Sequence, residues 1–187
     1  MIERRRFICF MVLLMCGGLT TPAAARDDPT PQVRHLMTRL QAALTPGRSP
    51  AALEAVVRHQ LIPALDVEGI ARQVTGPRWN ASGPAARSRS QAQARARLEH
   101  VALVALREHG DEVRAWLAGA HLLPPSRPDP GHVVVRLRHP QAMPDEVRLW
   151  LTRGPRGWRV ANATVAGFSL MGMAGTLLGP AAGGMMR

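Results

Sequence analysis

The sequence predicts an α+β domain, with helices first and a four-stranded antiparallel sheet after them. Three observations predict it. Apolar residues recur at helical spacings as far as Leu106, the period shortens to two from Val113, and proline and glycine clusters then separate short apolar runs. The 187 residues suffice for one domain with a sizeable core, and no internal repeat is visible.

The elements follow in order. Thr30 can cap a helix that has Pro31 at its first position, where a missing N–H costs nothing. Val33, Leu36, Met37, Leu40 and Leu44 then share one face, and Pro46-Gly47 ends the run. Ser49-Pro50 repeats the start signal, with Leu53, Val56, Val57 and Leu61 as a second stripe stopped before Pro63. Asp66 opens a short third helix that Gly76 closes. Residues 82–109 read as one long helix ended by Gly110; its first half is Ala, Arg, Ser and Gln, so it should dock by Leu98, Val101, Ala102, Ala105 and Leu106. Residues 113–117, 132–138, 147–152 and 158–165 are the four strand candidates.

Residues 1–25 have the features of a cleaved export signal. Arg4, Arg5 and Arg6 form a positive start, residues 7–19 are apolar, and Ala23-Ala24-Ala25 offers a small-residue cleavage site. The arginines suit either the general secretory or the twin-arginine route. The domain is then residues 26–187, in the periplasm, with a short glycine-rich tail. Both cysteines, Cys9 and Cys16, fall in the signal, so the mature chain has no disulfide or thiol chemistry.

The chain carries a net charge of +11 and no lysine. Without residues 1–25 it keeps 21 arginines against 12 acids. These arginines are scattered and tyrosine is absent, which argues against nucleic acid, whose binders combine basic patches with stacking aromatics. An anionic membrane surface or a phosphate head group suits the charge better. No histidine of the seven sits in a metal-ligand or His–carboxylate spacing, and Ser169 reads as a helix cap rather than a nucleophile. Neither a metal nor another cofactor is expected, nor an enzyme, although a small cavity enzyme is the remote alternative.

Two stretches carry a family resemblance. Leu65-Asp-Val-Glu-Gly-Ile-Ala-Arg-Gln-Val-Thr-Gly-Pro-Arg-Trp79 and Gly157-Trp-Arg-Val-Ala-Asn-Ala-Thr-Val-Ala-Gly-Phe-Ser-Leu-Met171 resemble the MlaC-like periplasmic phospholipid-binding proteins, the toluene-tolerance auxiliary component of a lipid transport system. Asp66, Ala71, Arg72, Val74, Gly76 and Trp79 are in register with the first motif. The second turns sharply at Gly167 and continues into Phe168-Ser169-Leu170. This chain departs from it at Asn162, where the family has an aspartate, at Ala161 and Ala166, and in a weakened C-terminal helix. The similarity covers roughly residues 61–170.

The resemblance implies a curved sheet wrapped by helices, similar in shape to nuclear-transport-factor-2-like proteins, with an apolar pocket between the two layers. It also implies a monomeric carrier that shuttles phospholipid, helping to maintain outer-membrane lipid asymmetry. The partners implied are an inner-membrane ABC lipid transporter and an outer-membrane lipoprotein complex. Strand alternation puts Val133, Val135, Leu137, Val147, Leu149 and Leu151 on one face and Arg136, Arg138 and Arg148 on the other. The apolar face is either an ordinary core or, as the resemblance implies, a pocket wall. The candidate lining residues are Val135, Leu137, Leu149, Leu151, Val160, Phe168, Leu170 and Met171, with Trp79 nearby. A docking subunit with a filled core and no lipid cargo is the alternative.

Overall fold

The computed structural model describes residues 28–155, 157–166 and 168–172. The expected export signal, the sharp turn expected at Gly167 and the expected glycine-rich tail lie outside them. The stripes read from sequence are buried. Helix α1 (Thr30–Ala43) buries Val33, Leu36, Met37 and Leu40. Its start differs from expectation: the Asp28 carboxylate accepts the Thr30 N–H at 2.8 Å, while the Thr30 hydroxyl has no partner among the described residues. A carboxylate two residues upstream has taken the capping role.

Helix α2 (Pro50–Val56) starts as expected, with Ser49 Oγ accepting the Ala52 N–H at 3.3 Å. The chain then loosens into a π turn (Val57–Leu61) and tightens into a 3-10 turn (Ile62–Ala64), so the helical path runs past Pro63 instead of stopping before it. That path keeps Val57, Leu61 and Ile62 on the buried side. Helix α3 (Val67–Thr75) has Asp66 Oδ1 accepting the Gly69 N–H at 3.0 Å. Gly76 closes it at a φ of 62°, where a side chain would be strained. A single turn, α4 (Arg78–Ala81), leads to the long helix α5 (Pro84–Gly119).

Two sequence expectations are corrected here. Gly110 does not end the long helix. The chain only breaks helical geometry at His109 (φ −132°, ψ 15°) and then resumes, so residues 113–117 are helical and not a strand. The reason is burial: Val113, Trp116 and Leu117 continue the three-and-four spacing of Leu98, Ala102 and Ala105. An interior glycine costs a helix only about 1 kcal/mol against alanine, less than two or three buried side chains return.

Among the described residues the sheet has six strands: β1 (His121–Leu122), β2 (Ser126–Asp129), β3 (His132–Arg138), β4 (Glu146–Gly154), β5 (Gly157–Val165) and β6 (Phe168–Ser169). All pairings among these strands are antiparallel, in the order β1-β3-β4-β5-β6, with β2 also pairing with β3. Strand β2 comes from a proline cluster, residues 124–131, that reads as a separator in the sequence; proline is tolerated there because β2 lies along a sheet edge. A bulge between Trp150 and Leu151 leaves Ala161 without a partner in β5. It reverses the alternation, so Trp158 and Val160, then Ala163 and Val165, all face inward.

The helices lie on one face of this sheet. Side chains from both layers make one apolar cluster, and no polar or charged residue is buried among the described residues. Two long-range contacts fasten the layers at the β5 end. Leu65 forms a parallel bridge with Val160, and Gln32 Nε2 donates to the Trp158 carbonyl at 2.8 Å.

Candidate functional site

The candidate lining residues divide into three groups. Six of them, Val135, Leu137, Leu149, Leu151, Val160 and Leu170, are 0 to 3% exposed and belong to the common core. Cross-strand pairing explains their proximity: Val135 faces Leu149, and Leu151 faces Val160 across the bulge. Met171 is half-buried against the same cluster. Phe168 is 43% exposed, on the short strand β6.

Trp79 is not brought to this face. It is buried with Ala71 of α3 and Ala94 of α5 in a cluster of its own. The small side chains of Ala71 and Ala94 leave room for the indole between the two helices. The guanidinium carbons of Arg72 and Arg87 lie 5.8 and 5.9 Å from its ring centroids, within cation–π range.

The six buried residues line none of the cavities that follow. A cavity of about 570 Å³ opens where the 3-10 turn, α3 and α5 meet the β4–β5 turn. Its floor includes the buried side chains of Ile62 and Leu65, and Leu65 is the residue bridged to Val160. Two guanidiniums stand in its wall. Arg159 donates to the Pro63 carbonyl, and Arg95 Nε donates to Glu99 at 3.0 Å. Asp66 and Glu68 complete the charged lining, with Asp66 engaged as the α3 cap and Glu68 paired to Arg72 at 2.9 Å. A guanidinium's planar fork of N–H donors matches the geometry of an oxyanion such as phosphate. Sequence reasoning named no arginine here, because the convergence of Arg95 and Arg159 depends on the Leu65–Val160 bridge.

A smaller cavity of about 340 Å³ surrounds the helix break, between Leu44, Leu53, Leu106 and the residues beside His109. Two histidines depart from the expected absence of carboxylate partners. His109 Nδ1 lies 3.5 Å from Glu112, and His132 Nδ1 lies 2.9 Å from Asp129 in the β2–β3 turn. Spacings of three residues on a helix or in a tight turn are enough to close such pairs. The hydrogen bond to His132 is the main reason the exposed Asp129 carboxyl sits below its ordinary 3.8. Among the described residues, no three His, Cys, Asp or Glu groups converge as a metal site would need. No described helix is long and apolar enough to cross a membrane.

Asn162 is a further structural centre. Through the bulge its side chain reaches the C-terminal segment, where Oδ1 accepts from the N–H groups of Ala163 (2.9 Å) and Met171 (3.1 Å) and from Ser169 Oγ (3.1 Å). Ser169 Oγ in turn accepts the Gly172 N–H at 3.2 Å, the capping role expected of it. The loss of the family's negative charge at this position is compatible with this arrangement, since only an oxygen acceptor is used.

A solved structure of a phospholipid-binding protein from Ralstonia solanacearum, in complex with a phospholipid, resembles this chain with 15% sequence identity and a TM-score of 0.49. The likeness covers 74% of this chain and 73% of that one. No curated protein matches the chain. The profile of the MlaC protein family matches residues 32–174, from the first turn of α1 through β6. The chain therefore belongs to the MlaC family.

Proposed function

We propose that this protein is a periplasmic lipid carrier, exported by residues 1–25, that holds phospholipid acyl chains between its sheet and its helices. It ferries them between an inner-membrane ABC transporter and an outer-membrane lipoprotein complex. The observation that carries the reading is the apolar layer without a buried polar or charged residue, continuous through Leu65 with a cavity walled by Arg95 and Arg159. Acyl chains would lie against Val135, Leu137, Leu149, Leu151, Val160, Leu170 and Met171, and the phosphate would sit at the arginines. Trp79 and Phe168 are less suited to line such a pocket, the first for its separate cluster and the second for its exposure.

The described side chains are closed on one another, so loading requires the layers to part. Energetics permit this. An acyl chain that replaces a helix side chain on the sheet exchanges one apolar contact for another at little net cost. The lipid meanwhile leaves water at about 0.8 kcal/mol per methylene, or about 12 kcal/mol gross for about 15 methylenes. No catalytic step is needed. The break at His109 supplies one place where half of α5 can move without the other.

The filled core also favours a second reading, a docking subunit of the same transport system without cargo. Native mass spectrometry of protein purified without detergent, followed by lipid extraction, separates them. A discrete added mass that resolves into phospholipid supports the carrier. A clean apo mass, unchanged after incubation with liposomes, supports the docking subunit. Leu151→Arg should abolish loading in a carrier and only destabilise a docking subunit.

A further inference from the structure

The sheet's outer face carries the side chains that point away from the helices. Strand register sets them in cross-strand pairs: Val134 beside Trp150, Arg136 beside Arg148, and Arg138 beside Glu146. Residues paired in this way share a face, with Cβ atoms about 4.5–5.5 Å apart. The residues between them along β3 and β4, such as Val135 and Leu149, are buried in the core, which fixes the outward direction of the pairs. Trp150 also meets His132 edge-on, with ring centroids 6.0 Å apart, so His132 belongs to the same face. Val134 is buried too, yet it stands outside the core cluster.

The charges of these pairs do not balance. Three guanidiniums stand with one carboxylate, and Glu146 already accepts from Arg148 Nε. Asp129, at the far end of β3, is bonded to His132. Arg136 and Arg148 are directly opposite, and like charges so placed cost a sheet stability. Arg136 Nε is buried and has no acceptor among the described residues, while Arg138 and Arg148 are exposed.

We infer that this face is a docking surface for an acidic segment of a partner protein. Charge complementarity calls for carboxylates between Arg136 and Arg148 and beside Arg138, where they turn repulsion into attraction. The chain does not supply them: outside the described residues its acids are Glu3 and Asp27, and a second copy carries the same net positive charge. Tryptophan and arginine are also the residue types that carry most of the binding energy in protein interfaces. A bilayer fits less well. A tryptophan that anchors at a membrane keeps its N–H at the wet end, whereas Trp150 Nε1 is buried and only part of the ring is open. The large apolar side chains exposed among the described residues are Met143, in the β3–β4 connection, and Phe168, opposite the inward-facing Val165. Neither belongs to the pairs, so nothing in them reaches into lipid. The inference does not rest on the carrier reading, since a carrier and a docking subunit both need a surface for a partner.

The test follows the indole N–H signals of isotope-labelled protein by NMR. Trp79, Trp116 and Trp158 are buried and Trp150 is half-buried, so Trp150 reports on this face. The probe is a synthetic peptide of glutamates around one leucine, with its glutamine counterpart as control. The Trp150 signal, identified by its loss in Trp150→Phe, should move alone and saturably, and less as salt shortens the reach of the charges. Arg138→Gln and Arg148→Gln should each weaken binding about two- to fivefold with melting temperature unchanged. Arg136→Gln should weaken it without lowering the melting temperature, because it also relieves the like-charge pair. Arg39→Gln, exposed on α1, should leave binding unchanged. An unmoved Trp150 signal at millimolar peptide, an equal response to the glutamine peptide, or equal loss with Arg39→Gln would overturn the inference. So would vesicles containing phosphatidylglycerol that move the signal when the peptide does not. Lipid content of the same preparations decides the carrier reading separately: lipid-free protein that takes the peptide sinks that reading and leaves the docking surface standing, and lipid-loaded protein that ignores the peptide does the reverse.

Discussion

Replacing Asn162 with alanine tests how the C-terminal segment is held to the sheet. The substitution removes one oxygen that accepts three hydrogen bonds, from Ala163, Ser169 and Met171. Each is worth about 0.5–1.5 kcal/mol net. Asn162 is half-buried, so water can reach part of what is left, and a total near 2 kcal/mol is expected. For a chain of this size that is a fall in melting temperature of about 4–8 °C. Thermal and urea unfolding of Asn162→Ala, Ser169→Ala and the double variant form a cycle. Because Ser169 reaches the sheet through Asn162, the two single losses should overlap by at least about 0.5 kcal/mol. Asn162→Asp keeps the acceptor and strengthens it with charge, so it should be as stable as the parent or more so. A stable Asn162→Ala, or strict additivity with Ser169→Ala, would refute the reasoning and mean that the β5–β6 pairing and Leu170 hold the segment without it.

Three further outcomes are expected. Trp116→Phe deletes the buried hydrogen bond from Nε1 to the Pro144 carbonyl at 2.7 Å and should cost about 1–3 kcal/mol in urea unfolding. Gly76→Ala places a side chain at φ 62°, ψ −143°, a region nearly reserved for glycine, with no neighbour within 4 Å, so the loss should be backbone strain alone, about 1–3 kcal/mol by calorimetry. Asp129, whose carboxyl is held low by His132, contributes stability that is present above the ordinary 3.8 and lost as pH falls through its depressed value. Asp129→Asn should therefore flatten the melting temperature's dependence on pH at the acid end and leave the rest of the curve's shape unaltered.

Local signals made much of this fold legible. The stripe of α1 and the caps at Ser49, Asp66 and Gly76 are written within a few residues of where they act. The facing of Val135, Leu149 and Leu151 follows from alternation alone. Failures came where a local signal met a distant one. Gly110 is an ordinary stop signal, and only the burial of Val113, Trp116 and Leu117 overrules it. Alternation through β5 would have sent Asn162 inward, and the unpaired Ala161 prevents it. The arginines of the candidate mouth, Arg95 and Arg159, lie on different layers, and nothing in either neighbourhood announces the other. Trp79, expected near the lining, instead packs between α3 and α5, and that separation from the sheet depends on how α4 turns.

The fastening of the helices to β5 has a consequence for how the chain is made. Gln32 reaches Trp158, 126 residues away, and Leu65 finds its bridge partner only in Val160. Local helices form quickly, whereas contacts between distant residues wait for the chain to close. A polypeptide that emerges from its amino end thus presents the apolar stripes of α1 and α2 to solvent long before the sheet that covers them exists. The interval in which this protein is most prone to stick to its neighbours is built into the order of its elements, and it ends only when the fifth strand arrives.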